Sequence, residues 1–157
     1  MKLFALIFLF LLSNVASADV SGTALIVDGD TITISGNKIR LNGIDTPEQN
    51  QTCSRAGISW RCGYEATETL RRWTYTKEVR CIGDTKDRYG RLIANCFVDG
   101  YNVNARLVYE GLALAYRKYS KQYVPEEDKA RAAKRGMWAG EFVAPWDWRE
   151  GKRLTSE

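Results

Sequence analysis

The chain has 157 residues, 27% charged and 45% hydrophobic, with a formal net charge of +4 and no histidine. Such a balance suits a folded chain with a mildly basic surface, compatible with a polyanionic partner without requiring one. Without histidine, imidazole is excluded as proton carrier and metal ligand, and the four cysteines, which include no CxxC pair, suit no zinc site.

Residues 1–18 are laid out as a secretory leader. Lys2 gives a basic start, Leu3 to Leu12 form an unbroken apolar run, and Ala16-Ser17-Ala18 offers a small-residue cleavage site. The run is too short to span a bilayer, which needs about 20 apolar residues. Cleavage after Ala18 predicts a mature single domain over residues 19–157, secreted or periplasmic, with 22 basic and 19 acidic side chains. In an oxidising compartment the four cysteines then read as two disulfides.

The first half predicts strands joined by tight turns. Thr23 to Val27 is β-prone, and Asp28-Gly29-Asp30 turns the chain. Thr31 to Ile34 and Lys38 to Asn42 alternate polar and apolar around a Gly36-Asn37 hairpin turn. With Ile39 and Leu41 facing inward, Arg40 must face the other way. A loop with Cys53 and Cys62 leads to a helix over about 64–74, striped by Ala66, Leu70 and Trp73. Glu78 to Gly83 and Leu92 to Val98 read as two further strands. A helix follows from about Asn102 to Glu110, and a last one runs from Pro125 to Lys134 and Arg135, with Gly136 beyond. Five strands with three helices predict an α+β, mainly β, Greek-key barrel of the OB type. Cys81 and Cys96 fall on strands flanking one loop, which makes a bridge between them natural and leaves Cys53 to pair with Cys62.

The chemistry-bearing residues cluster in the motifs. Asp30, Asp45 and Glu48 are hard oxygen donors, suited to calcium or magnesium. Arg40 and Arg91 carry forked donors that match phosphate geometry. Cleaving a phosphodiester requires positive charge around the phosphoryl oxygens and a group that orients or deprotonates water. Singly, each residue has a plainer reading: a turn aspartate, a solvated strand arginine, a loop end. Their joint occurrence is what points to a site.

The pattern Asp28-Gly29-Asp30-Thr31, then Arg40-Leu41-Asn42-Gly43-Ile44-Asp45-Thr46-Pro47-Glu48, then Asp87-Arg88-Tyr89-Gly90-Arg91, resembles the staphylococcal-nuclease (thermonuclease) family. Similarity continues through Gly111-Leu112-Ala113 to Gly136-Met137-Trp138, and the cysteines mark a disulfide-containing, secreted bacterial-type member. The resemblance implies a five-stranded OB barrel with three helices and a Ca²⁺-dependent endo/exonuclease acting on DNA and RNA. It implies single strands as the preferred substrate, products with 3′-phosphate and 5′-hydroxyl ends, and a monomer. It also implies that Asp30, Asp45 and the Thr46 carbonyl hold calcium, that Glu48 serves as general base, and that Arg40 and Arg91 bind the scissile phosphate. Tyr89 and Tyr116 would contact the nucleotide. The alternative is an exported OB-fold nucleic-acid-binding protein without catalysis. Trp138, Trp146 and Trp148 fit base stacking, although tryptophans beside a terminal helix more often seal a core.

Overall fold

The computed structural model describes residues 18–155, so the expected leader lies outside the described residues apart from Ala18. Strands β1 (Ala18–Ile26), β2 (Thr31–Ile34) and β3 (Asn37–Leu41) form an antiparallel meander. After it come three short strands, β4 (Ile44–Asp45), β5 (Cys53–Arg55) and β6 (Ile58–Trp60), and helix α1 (Cys62–Thr74). Next are β7 (Glu78–Lys86), β8 (Leu92–Val98), β9 (Tyr101–Asn102) and α2 (Val103–Tyr109). The chain ends with β10 (Leu114–Ala115), α3 (Val124–Ala132) and α4 (Pro145–Arg149).

β1 pairs with β7, β7 with β8, and β8 returns to β3 in parallel, closing a five-stranded mixed barrel. The alternation seen in the sequence fills it. Ile32, Ile34, Ile39, Leu41, Leu92, Ala94 and Val98 all point into one core, with Ala66 and Leu70 of α1 against it. Trp73, the third residue of the predicted stripe, is half-buried, with Arg106 over its ring at 4.2 Å.

β1 starts five residues earlier than its pattern predicts, because one strand serves two neighbours. Ala18 to Thr23 pair with β7, whereas Ala24 to Ile26 pair with β2. Gly22 sits at this change of partner with φ 150°, where a Cβ would press on Ile34 Cγ2 at 3.1 Å. The predicted last helix stops early, at Ala132. Lys134 adopts φ 50° and the Arg135 N–H donates to the Ala130 carbonyl, which closes the turn. A fourth helix, α4, and a hairpin of β5 with β6 appear where only loops are predicted.

Both disulfides, Cys53–Cys62 and Cys81–Cys96, are present. Cys81 and Cys96 are direct cross-strand partners on β7 and β8, buried in the barrel. Their sequence separation is 15. Cys81→Ala/Cys96→Ala should therefore cost about 3 kcal/mol by loop-closure entropy. Urea denaturation checks this, and an unchanged midpoint would show that the bridge adds nothing to stability. Cys53–Cys62 ties β5 to the start of α1 within a second, smaller core of Leu114 and Met137, flanked by Trp60, Trp138, Phe142 and Trp146. Trp138 and Trp146 thus take the core-sealing role.

Candidate active site

Three turns and one barrel seam bring the site together. Thr31 on β2 pairs with Arg40 on β3, which places Arg40 beside the Asp28-Gly29-Asp30 turn. Gly29 lets that turn lie on Thr46, since a Cβ there would meet Thr46 Oγ1 at 2.7 Å. β4 carries Asp45 and is held by β10, with Asp45 opposite Leu114. Parallel pairing of Ile39 with Leu92 then sets Arg91, just before β8, at the same end of the barrel as Arg40.

Arg40 binds two carboxylates. Its Nη1 lies 2.7 Å from Asp30 Oδ2 and its Nη2 3.1 Å from Asp45 Oδ1. Asp30 Oδ2 also accepts hydrogen bonds from the Thr46 N–H at 3.0 Å and the Thr46 hydroxyl at 2.9 Å. Thr46 therefore orients Asp30 through two donors, its N–H and its hydroxyl. Arg91 donates Nε to Asp87 at 2.7 Å and Nη1 to Thr31 Oγ1 at 3.4 Å. Its Nη2 has no protein partner among the described residues. Tyr89 lies exposed in the same loop, its ring centroid 5.5 Å from the Arg91 guanidinium.

Asp30, Arg40, Asp45 and Thr46 thus form one bonded network, which Arg91 joins through Thr31 and Glu48 only through Arg149. A residue that sequence reasoning missed completes it. Arg149, at the end of α4, donates Nη2 to Asp45 Oδ2 at 2.8 Å and Nη1 to Glu48 Oε1 at 2.8 Å. The same Nη1 lies 3.2 Å from Asp45 Oδ1. Tyr116 lies outside the network and stacks on Trp146 of α4, with centroids 5.5 Å apart.

A family model described as staphylococcal nuclease homologue matches residues 38–140. The chain belongs to the family of staphylococcal nuclease homologues. Among similar proteins, the succinoglycan biosynthesis protein ExoI of Rhizobium meliloti is 35% identical over 127 residues, covering 78% of this chain and 66% of its own length. An uncharacterized endonuclease of Haemophilus influenzae is 34% identical, covering 83% of this chain and 72% of its own. A micrococcal nuclease of Shigella flexneri is 32% identical, covering 88% and 85%.

The electrostatics of this family member are set by crowded acids. Burial pushes the Asp45 carboxyl up, hydrogen bonds from Arg149 pull it down, and nearby Asp30 pushes it up again. The Asp45 hydrogen bonds in turn raise the Arg149 guanidinium. Asp87 is partly desolvated, but hydrogen bonds from Arg91 and from the Tyr89 N–H outweigh this and hold it below the ordinary carboxylate range. Asp28, whose Oδ1 accepts from the Asp30 N–H, is pushed up to about 6 by burial and then by Asp30.

For Asp28 the folded pKa exceeds the ordinary value of 3.8. Its contribution to stability is therefore fully present below pH 4 and is lost as pH rises through 6. Discounted for partial exposure, the loss is about 2 kcal/mol. In chelator, Asp28→Asn should match the wild type near pH 4 and exceed it by about this amount at pH 7.5. Denaturant titrations at the two pH values check it, and equal stability at both would refute the shift.

The residues present fit a hard divalent cation. The Asp30 Oδ1 and Asp45 Oδ2 oxygens keep unused lone pairs, and no thiolate or imidazole competes. Among the described residues no three acidic or thiol side chains form a cage by themselves.

Proposed function

We propose that this chain is a calcium-dependent endo/exonuclease, exported to the periplasm or beyond, that hydrolyses DNA and RNA to 3′-phosphate and 5′-hydroxyl ends. The observation that carries this reading is the network joining Arg40, Asp30 and Asp45, and through Arg149 also Glu48, with Arg91 beside it, in a staphylococcal nuclease homologue. Export is supported by the leader-like residues 1–18 and by two disulfides, which persist in oxidising compartments.

In this reading Asp30, Asp45 and the Thr46 carbonyl hold the cation, which would neutralise phosphate charge when bound. Glu48 orients a water and takes its proton as the oxygen attacks phosphorus in line, and the 5′ oxygen departs. Arg40 and the open Nη2 edge of Arg91 hold the equatorial phosphoryl oxygens. Tyr89 and Tyr116 contact the nucleotide, with single strands preferred because an unpaired chain bends into a small site more readily. The chain acts as a monomer.

The test is incubation of purified protein with plasmid and single-stranded DNA, with calcium and then with chelator, followed by end analysis. Calcium-dependent cleavage leaving 3′-phosphates supports the reading. Tight binding without cleavage would identify an OB-fold nucleic-acid-binding protein instead, and cleavage in excess chelator would remove the metal from the reaction.

A further inference from the structure

The C-terminal segment grips Glu48 at two points. Arg149 holds its side chain at 2.8 Å. The Glu48 N–H donates to Gln51 Oε1 at 3.1 Å, and Gln51 Nε2 donates to the Val143 carbonyl at 2.7 Å, just before α4. Gln51 is completely buried, so this backbone tie is shielded from water. α4 itself is seated by the buried Pro145 and by Trp146, which packs on the core around Cys53–Cys62 and stacks on Tyr116.

We propose that Arg149 is a third arginine of the active site, a positioning residue that fixes Glu48 against Asp45 and weakens cation binding at Asp45. The inference rests on the nuclease reading for its kinetic half. Its forked contact matters for the first role. One guanidinium reaches both Asp45 oxygens and Glu48 Oε1, which fixes the separation of the cation-holding carboxylate and the water-orienting one. Charge matters for the second role. A permanent cation bonded to Asp45 opposes any metal ion that shares that carboxylate. Asp45 itself stays put without Arg149, because it is 1% exposed, paired to Arg40 and anchored by the β4–β10 ladder.

These roles move two measurements in opposite directions, which a merely structural residue would not do. Arg149→Met should bind calcium about tenfold more tightly, by calorimetry with calcium alone, because a like charge is gone. Its kcat should fall about 10²-fold as Glu48 loses its hold, with KM changed less than about threefold. Arg149→Lys keeps the charge but loses the fork, so its calcium affinity should match the wild type while kcat still falls about tenfold. Arg149→Met with unchanged or weaker calcium binding overturns the proposal, and so does wild-type kcat in that variant. A wild-type protein that cleaves nothing would sink the nuclease reading instead, and the calcium titrations would still decide whether Arg149 opposes the cation. Circular dichroism of both variants confirms that the fold is kept; should Arg149→Met not fold, the Arg149→Lys kcat and calcium affinity decide alone.

Discussion

Arg91→Gly is expected to slow phosphodiester cleavage by about 10³–10⁵-fold, the range for an arginine on a transferring phosphoryl group. The loop should survive, because Asp87 Oδ1 takes its hydrogen bonds from the backbone N–H groups of residues 89 and 91, which glycine retains. Glu48→Gln should cost about 10²–10⁴-fold, since the amide cannot accept the water's proton. Arg40→Gly is the less clean test. Asp45 would keep Arg149, but buried Asp30 would lose its cationic partner, so removal of Arg40 costs about 3–5 kcal/mol of stability besides turnover. Single-turnover rates on single-stranded DNA, beside circular dichroism, separate the two effects. Near wild-type turnover in a folded Arg91→Gly protein would exclude that arginine from the reaction.

Magnesium is expected to bind and yet support cleavage about 10²-fold more slowly than calcium, as small displacements in a site can cost that much. In the proposed ligand set, Asp30, Asp45 and the Thr46 carbonyl offer too few oxygens for either ion, so water and substrate would complete the shell. Calcium takes six to eight oxygens at about 2.3–2.6 Å in loose geometry, whereas magnesium demands an octahedron near 2.0–2.1 Å. The aspartates cannot relax to meet the tighter demand, because Arg40, Arg149 and Thr46 already fix their oxygens. Initial rates in chelator-stripped buffer, titrated with each ion, provide the measurement. Equal maximal rates would refute the calcium assignment.

The barrel was legible from the polar–apolar alternation of its strands, which in Leu92–Val98 becomes strict alternation of burial. The first and last predicted helices were legible from the Ala66–Leu70 stripe and from Pro125. The β5–β6 hairpin was hidden, since its strands have three residues each and only Cys53 is buried. In the site, Asp30, Arg40, Asp45, Glu48 and Arg91 stood out as charged residues inside short motifs. Arg149 did not. It closes a five-residue helix rich in tryptophan, and its carboxylate partners lie about a hundred residues upstream, so no local spacing connects them. Gln51 was equally silent, because an amide in a loop gives no sign that the fold will bury it.

The seam between β3 and β8 also governs when the site can exist. The remaining barrel pairings are antiparallel, and hairpins such as β2–β3 and β7–β8 close over short loops early in folding. The parallel contact of Ile39 with Leu92 joins strands separated by α1 and the β5–β6 hairpin, and the entropy of drawing such distant segments together delays it, as it delays the pairing of β1 with β7. Arg40 and Arg91 come to one end of the barrel across that seam. A chain in which that seam is still open carries every residue of the candidate site without its geometry, so whatever the site does must wait until the barrel shuts.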